Sequence, residues 1–212
     1  MIVKRIIDRE VVLVECAPEF EAAAADVLET LAGLSGSGKP LRDGLRVRFG
    51  WSLLTLRTDA EGLRVCEPSF GQDEGADLDP KLNTTLAVLT EQVKWLRRLR
   101  VDGTDAYFDQ NIIMTESALS AVDIFALRGE ATTEADSGWS VAPVPAAGGE
   151  VDTSALRAVS IGSLVVVRPG LLPIITLPVG FLVRLNDNRV TEMTSPNGAV
   201  VWPLDRSHVE PN

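Results

Sequence analysis

Apolar residues near the start of the chain follow two different patterns. Residues 11–14 form a continuous apolar run, which is typical of a short buried strand. After Pro18 the apolar positions recur every three or four residues, and Gly33 suits the left-handed position that follows a last helical turn. We therefore expect a strand followed by a helix that ends near Gly33. The helical positions are Phe20, Ala23, Ala24, Val27, Leu28 and Leu31.

After this helix the apolar residues recur at every second position, and this alternation predicts one long strand. Turn-forming residues occupy positions 58–62, and residues 63–66 are again strand-like. Two strands joined by a short turn predict a β-hairpin. The alternating apolar positions are Leu45, Val47, Phe49, Trp51, Leu53 and Thr55.

A second helix is predicted to begin at Asp79, which can cap it, with Pro80 at the first helical position. Arg97, Arg98 and Arg100 fall in its predicted last turn, where cations complement the helix dipole. The pattern therefore indicates an amphipathic helix. Its apolar stripe is Leu82, Leu86, Leu89, Val93 and Leu96.

The second half contains several short strand-like runs. Strands are predicted at residues 111–114, 123–127 and 138–141, and a second hairpin at residues 181–193. Asp152 is placed to cap a further helix. That helix would carry Leu156, Val159 and Leu164.

Strands and helices do not alternate regularly, so we expect an α+β fold with largely antiparallel sheets and a few packed amphipathic helices. The Pro-, Ala- and Gly-rich residues 143–149 are the predicted internal boundary. We expect an N-terminal α+β region, 1–110, and a C-terminal domain, 111–212. One continuous domain is the alternative.

Charge and cysteine content narrow the class of protein. The 212 residues carry a formal charge of −10, from 20 Lys and Arg against 30 Asp and Glu. This argues against binding to a nucleic acid duplex, which favours a basic face.

Cys16 and Cys66 lie in separate apolar runs and predict buried thiols in a reducing compartment. Residues 1–8 have no uninterrupted apolar core, and the apolar stretch 159–183 is broken by Arg168 and prolines, so we expect a cytoplasmic protein without membrane contact.

One string resembles a phosphate-binding loop but does not fit it. Residues 33–39 read Gly-Leu-Ser-Gly-Ser-Gly-Lys, and the next position, which should be Ser or Thr, is Pro40. The string also follows a predicted helix, whereas a phosphate-binding loop follows a strand and opens a helix. We therefore expect a flexible connection here.

Candidate catalytic groups are scarce. The single histidine, His208, lies five residues from the end of the sequence, and Asp105 and Asp109 flank Tyr107. The acidic segment that begins at Glu67 does not have the ligand spacing of a calcium loop. We expect no catalytic residue, no metal and no cofactor, and a carboxylate-dependent hydrolase is a minor alternative. The acidic residues of that segment are Glu67, Asp73, Glu74, Asp77 and Asp79.

The tryptophans are candidates for packing or for partner contacts. Trp51 falls on the apolar side of its predicted strand and is expected in the core. Trp95 lies beside the stripe of the second helix, at its edge or on a second contact surface. Trp139 enters a strand from a polar turn, where it either packs on a sheet or anchors a partner.

Three segments, in order, resemble a known family. Residues 123–130 read Asp-Ile-Phe-Ala-Leu-Arg-Gly-Glu, residues 136–139 read Asp-Ser-Gly-Trp, and residues 169–180 contain Pro-Gly-Leu-Leu-Pro-Ile-Ile and end in Pro-Val-Gly. This combination, over about residues 111–195, resembles the thirty-third numbered class of bacterial polymorphic-toxin immunity proteins, formerly a domain of unknown function. Gly129 separates the Arg-Glu pair of the family pattern.

The resemblance implies a non-enzymatic protein that neutralises a toxin by stoichiometric binding. The partner would be a protein, and the charge of −10 suits a basic toxin such as a nuclease. Asp136, Trp139 and Trp95 are the candidate partner-binding residues. A structural or regulatory interaction module, as a monomer or a homodimer, is the alternative from a different class.

Overall fold

The computed structural model describes residues 1–70, 77–145 and 155–203. The chain divides into two compact units, Met1–Val93 and Lys94–Asn212. The division into regions 1–110 and 111–212 stays a prediction. No helix in the described segments has the length and apolar character needed to span a bilayer.

The first unit is built on a mixed sheet. Its strand order is β1-β2-β5-β4-β3, with β6 paired to β5, and among the strand pairs of residues 1–70 and 77–93 the β2–β5 pair is parallel. Helix α1 packs on β1 and β2. The strands are β1 (Ile2–Ile7), β2 (Glu10–Glu15), β3 (Arg46–Phe49), β4 (Ser52–Asp59), β5 (Gly62–Pro68) and β6 (Leu78–Asp79). The helices are α1 (Glu21–Gly36) and α2 (Asn83–Leu99), and the part of α2 from Lys94 onward belongs to the second unit.

The core of this unit lies between α1 and the sheet. The predicted strand at residues 11–14 is confirmed as part of β2, and the β4–β5 hairpin is confirmed. The buried side chains of α1 match the predicted face, since Ala24, Val27, Leu28 and Leu31 join one apolar cluster with the strands. The helix continues to Gly36, so Gly33 lies inside it and the predicted end was wrong.

The alternating segment 45–55 is two strands, not one. The chain reverses at Gly50 and Trp51, and Phe49 pairs with Ser52. Gly50 has φ +56°, and a Cβ there would lie 2.2 Å from Cδ2 of Leu89. The reversal changes which positions face the core, so the least exposed residues of β4 are the even-numbered Ser52, Leu54 and Leu56. Trp51 is buried as predicted: it stacks on Phe70 at 4.8 Å, and its Nε1 donates to the Thr85 carbonyl.

Helix α2 begins at Asn83, four residues after the predicted cap. Asp79 belongs to β6 and accepts a hydrogen bond from the backbone N–H of Lys81. Most of the predicted apolar stripe is covered, but Val93 is exposed. Arg97 and Arg98 lie in the last turn as predicted, whereas Arg100 follows the helix.

The second unit is built on a seven-stranded sheet in the order β10-β7-β9-β8-β11-β12-β13. Among the strand pairs of residues 94–145 and 155–203, β7–β9 is the parallel one. The α+β class is therefore confirmed, and both sheets, predicted as largely antiparallel, are mixed. The elements are β7 (Asn111–Thr115), β8 (Asp123–Arg128), β9 (Asp136–Pro143), β10 (Leu156–Ser160), α3 (Leu164–Val167), β11 (Leu182–Asn186), β12 (Arg189–Thr194) and β13 (Val200–Trp202).

One face of this sheet, the inward face, packs on α3 and on the 3-10 turn Pro169–Ile174. Apolar side chains of β7 and β9 meet those of α3, the turn and the residue after it around a small apolar gap. The predicted β11–β12 hairpin is confirmed, and Asp187 and Asn188 turn it with φ of 47° and 60°. The residues around the gap are Ile112, Trp139, Val141, Leu164, Leu171, Ile174 and Ile175.

Two predictions for this unit were wrong. Residues 156–160 form β10 instead of a helix, because they pair along β7, and only Leu164 of the predicted face lies in a helix. Asp152, the predicted cap, lies outside the described residues. Residues 143–149 were predicted as an internal boundary, but the strands before and after them belong to the same sheet.

Candidate protein-binding site

The Asp-Ser-Gly-Trp segment forms a hydrogen-bonded turn at the start of β9. Asp136 Oδ2 accepts from the backbone N–H and the hydroxyl of Thr132, each at 2.9 Å, and Oδ1 accepts from the N–H of Gly138 at 2.7 Å. Burial acts to raise the pKa of Asp136, but the hydrogen bonds from Thr132 and Gly138 outweigh it and hold that pKa below its ordinary value. Asp136 is therefore ionised and fixes the loop 129–136.

Two glycines allow this loop to lie against the turn. The N–H of Gly129 donates to the carbonyl of Gly138 at 2.8 Å. Gly138 has φ +79°, and a Cβ there would come within 2.3 Å of the Gly129 carbonyl oxygen. Gly138 therefore has to be glycine for both conformation and space. Gly129, which interrupts the Arg-Glu pair, is its direct backbone partner.

The last residue of the segment faces inward. Trp139 is 2% exposed, and its Nε1 donates to the Ile175 carbonyl at 2.9 Å. Ser137 donates to the Asn111 carbonyl at 2.7 Å and so ties the turn to β7. Of the two roles that the sequence left open for Trp139, core packing is the one that the structure has. Trp139 also lines the cleft described below, so its role in partner binding stays a prediction.

Arg128 lies beneath the loop as a buried cation. Its guanidinium donates to the carbonyls of Ile175 and Asp105, each at 3.2 Å, and lies 5.6 Å from the Trp139 ring. Burial lowers its pKa, while the charges of Asp136 and Glu130 act to raise it. Its Nε has no hydrogen-bond partner within the described part of the chain. The Arg128 guanidinium thus links residues 105 and 175 beside the Trp139 ring.

A cleft of about 470 Å³ opens between this loop and the sheet. Its lining includes Ile113, Ser140 and Ala158 from three neighbouring strands, which we call the floor, and the acidic residues Glu130 and Asp136, which we call the rim. The floor residues are small except for Ile113, which explains the hollow. The described residues that line the cleft include no Lys, Arg or His.

The cleft floor continues as a row of residues across the sheet. The pairing register places Leu182 beside Leu127, Leu127 beside Ser140, Ser140 beside Ile113, and Ile113 beside Ala158. Paired residues of adjacent strands share a face. We call these five residues the outward row. Leu127 and Leu182 are 44% and 38% exposed, so the row presents apolar surface beside the cleft.

Trp95 belongs to a different cluster. It is half-buried on α2, its ring lies 5.3 Å from that of Trp202 in an edge-to-face arrangement, and the Arg98 guanidinium lies 4.3 Å from the Trp202 ring. The structure thus brings two of the three predicted partner-binding residues, Asp136 and Trp139, to the cleft, and Trp95 is not among the residues that line it. The outward row was not predicted.

The acidic segment 67–79 does not form a catalytic site within the described residues. Glu67 is buried in β5, where its two oxygens accept from the backbone N–H groups of Thr84 and Thr85 at 3.1 and 2.6 Å. Burial raises its pKa to about 7 against these hydrogen bonds. Glu67 therefore caps α2, the role that the sequence gave to Asp79. Asp73 and Glu74 lie outside the described residues.

The other candidate chemical groups are equally dispersed. The exposed Asp105 accepts from the Tyr107 hydroxyl at 2.9 Å. No three His, Cys, Asp or Glu side chains in the ranges 1–70, 77–145 and 155–203 are placed to hold a metal ion. Cys16 and Cys66 are free and buried as predicted, and burial raises the pKa of both thiols. The string resembling a phosphate-binding loop begins inside α1, and His208 lies outside the described residues.

Comparison with known proteins gives one match. The family model of the Imm33-like domain matches residues 91–195, which include β7 to β12, the cleft and the outward row. No curated protein and no solved structure matches the chain.

Proposed function

This chain carries an Imm33-like domain in residues 91–195, and on that basis we propose that it neutralises a proteinaceous toxin by stoichiometric binding, without catalysis. The family match is the observation that carries the proposal. An immunity protein needs a complementary surface held in a fixed shape, and its affinity rests on a few well-packed contacts.

Two features of the chain support a basic toxin as the partner. The formal charge of −10 attracts a cationic protein and accelerates encounter at low ionic strength. The cleft rim carries carboxylates, and the described residues that line it include no basic side chain. The cytoplasm is the proposed location, in keeping with two free buried thiols.

Co-expression tests this proposal. The candidate toxin is the product of the gene adjacent to the one that encodes this chain. We expect co-expression to restore growth and the purified proteins to form a 1:1 complex by light scattering. Continued toxicity, with no complex at micromolar concentration, would contradict the proposal. A particle of twice 22.8 kDa for the chain alone, with no complex, would instead favour the homodimeric interaction module.

A further inference from the structure

We propose that the outward row and the cleft together bind a toxin segment that presents apolar side chains and one lysine or arginine, with the basic side chain in the cleft. This inference rests on the proposed function and specifies the surface that performs it. The outward row comprises Leu182, Leu127, Ser140, Ile113 and Ala158.

The row supplies the apolar part of the surface. With strands about 4.8 Å apart, five adjacent strands span about 19 Å, which is long enough for a segment of five or six extended residues. Leu127 and Leu182 are exposed at one end, and the row descends through Ser140 into the cleft at the other. Covering exposed leucine side chains with apolar groups gives the association its favourable hydrophobic contribution.

The cleft supplies the charge selectivity. A long basic side chain can lay its methylene groups on Ile113 and Ala158 and bring its cationic group to the carboxylates of Glu130 and Asp136 at the rim. Arg128 lies beneath the loop and offsets one of these charges, so the cleft keeps one net negative charge. The volume of about 470 Å³ lies within the range of about 300–1,000 Å³ that is usual for ligand pockets.

Charge favours a basic partner over a second copy of this chain. Two copies would each bring a formal charge of −10 and would place carboxylate-rimmed clefts against one another. Like charges brought together at an interface oppose association. A basic toxin reverses the sign of this interaction, so the same carboxylates then attract the partner.

Three substitutions test the surface in the full chain, with the adjacent-gene toxin as the probe. Glu130→Lys reverses a rim charge, Ser140→Trp fills the cleft floor, and Leu127→Ser removes an exposed apolar contact. We expect each to raise the Kd for the toxin by about tenfold or more. All three side chains are exposed, and unchanged near-UV circular dichroism would establish that the variants fold.

Glu10→Lys is the matched control for charge. Glu10 is exposed at the start of β2, outside the cleft and the row, and its substitution changes the net charge by the same amount as Glu130→Lys. We expect the Kd of this variant to change by less than about threefold, an effect of long-range attraction that salt reduces.

The outcomes separate the two proposals. If the wild-type chain does not bind the toxin, the proposed function fails. If the wild-type chain binds and all three variants bind equally well, the function stands and this surface is wrong. Equal weakening by Glu10→Lys and Glu130→Lys would also overturn the assignment of the cleft, because the effect would follow net charge alone. Loss of a homodimer in the variants would identify a second copy as the occupant and overturn the basic partner.

Discussion

Gly170 lies directly against the backbone of Asn188. A Cβ on Gly170 would come within 2.1 Å of the Asn188 carbonyl oxygen and 2.6 Å of its Cα. Gly170 belongs to the Pro-Gly pair that opens the 3-10 turn over the inward face, and Asn188 is the turn residue of the β11–β12 hairpin. This contact requires a residue without a side chain at position 170.

Gly170→Ala should therefore destabilise the protein by about 2 kcal/mol or more, because backbone atoms on one side or the other must move. Gly33→Ala is the control: it lies inside α1 with nothing within 4 Å of the added Cβ, and it should raise stability by up to about 1 kcal/mol. Denaturant unfolding measures both. Equal effects of the two substitutions would contradict the contact.

Asp136→Asn should weaken the turn that holds the cleft loop. The amide replaces an oxygen that accepts two hydrogen bonds from Thr132, and a loss of about 1.5–3 kcal/mol is expected for hydrogen bonds to a charged group. The pKa of Asp136 is below its ordinary value of 3.8, so its stabilising contribution is present above about pH 4 and is lost as the pH falls through the folded-state pKa. Unfolding free energies of wild type and variant should converge in acid.

Glu67 should give stability the opposite dependence on pH. Burial raises its pKa from 4.5 to about 7, so the folded state binds more protons than the unfolded state between these values. The contribution of Glu67 to the free energy of unfolding is fully present below about pH 4.5 and is lost as the pH rises through about 7. The loss amounts to up to about 3 kcal/mol. The difference in unfolding free energy between wild type and Glu67→Gln should follow this curve. A difference that is constant from pH 4.5 to 8 would show that burial does not perturb the carboxyl group.

Arg98→Ala should cost stability through its contact with Trp202. The guanidinium lies 4.3 Å from the ring, and an exposed cation–π contact contributes about 0.5–1 kcal/mol. Arg97→Ala removes an equally exposed cation from the same helical turn and serves as the control, with an expected effect within about 0.5 kcal/mol. Thermal unfolding at two salt concentrations measures both.

The role of Trp95 in partner binding stays a prediction, for which Trp95→Ala in the toxin-binding assay is the test.

Local signals predicted local structure well. The β11–β12 hairpin follows from Asp187 and Asn188, which tolerate the positive φ that a two-residue turn needs. The same local rules failed where a distant partner decides the outcome. Residues 156–160 have helical spacing but pair with β7, and Glu67 rather than Asp79 caps α2 from 17 residues away. The reversal at Gly50 preserved a period of two in the sequence and so resembled one strand.

The candidate site could likewise be predicted from the sequence only where neighbouring residues form it. The Asp-Ser-Gly-Trp motif identified the turn, because Asp136 accepts hydrogen bonds from nearby Thr132 and Gly138 and Gly138 supplies the positive φ. The outward row could not be predicted, since it depends on the register of four strand pairs that bring residues 158 and 182 onto one face. Sequence spacing alone does not determine that register.

Because each member of the outward row comes from a different strand, no linear fragment of the chain can reproduce it. A slip of one residue in any strand would turn that member to the opposite side of the sheet. Under the proposed function, recognition of the toxin therefore requires the completed sheet. Protection in a cell should then decline in proportion to the folded fraction, and even a substitution far from the outward row should weaken protection once it shifts the folding equilibrium.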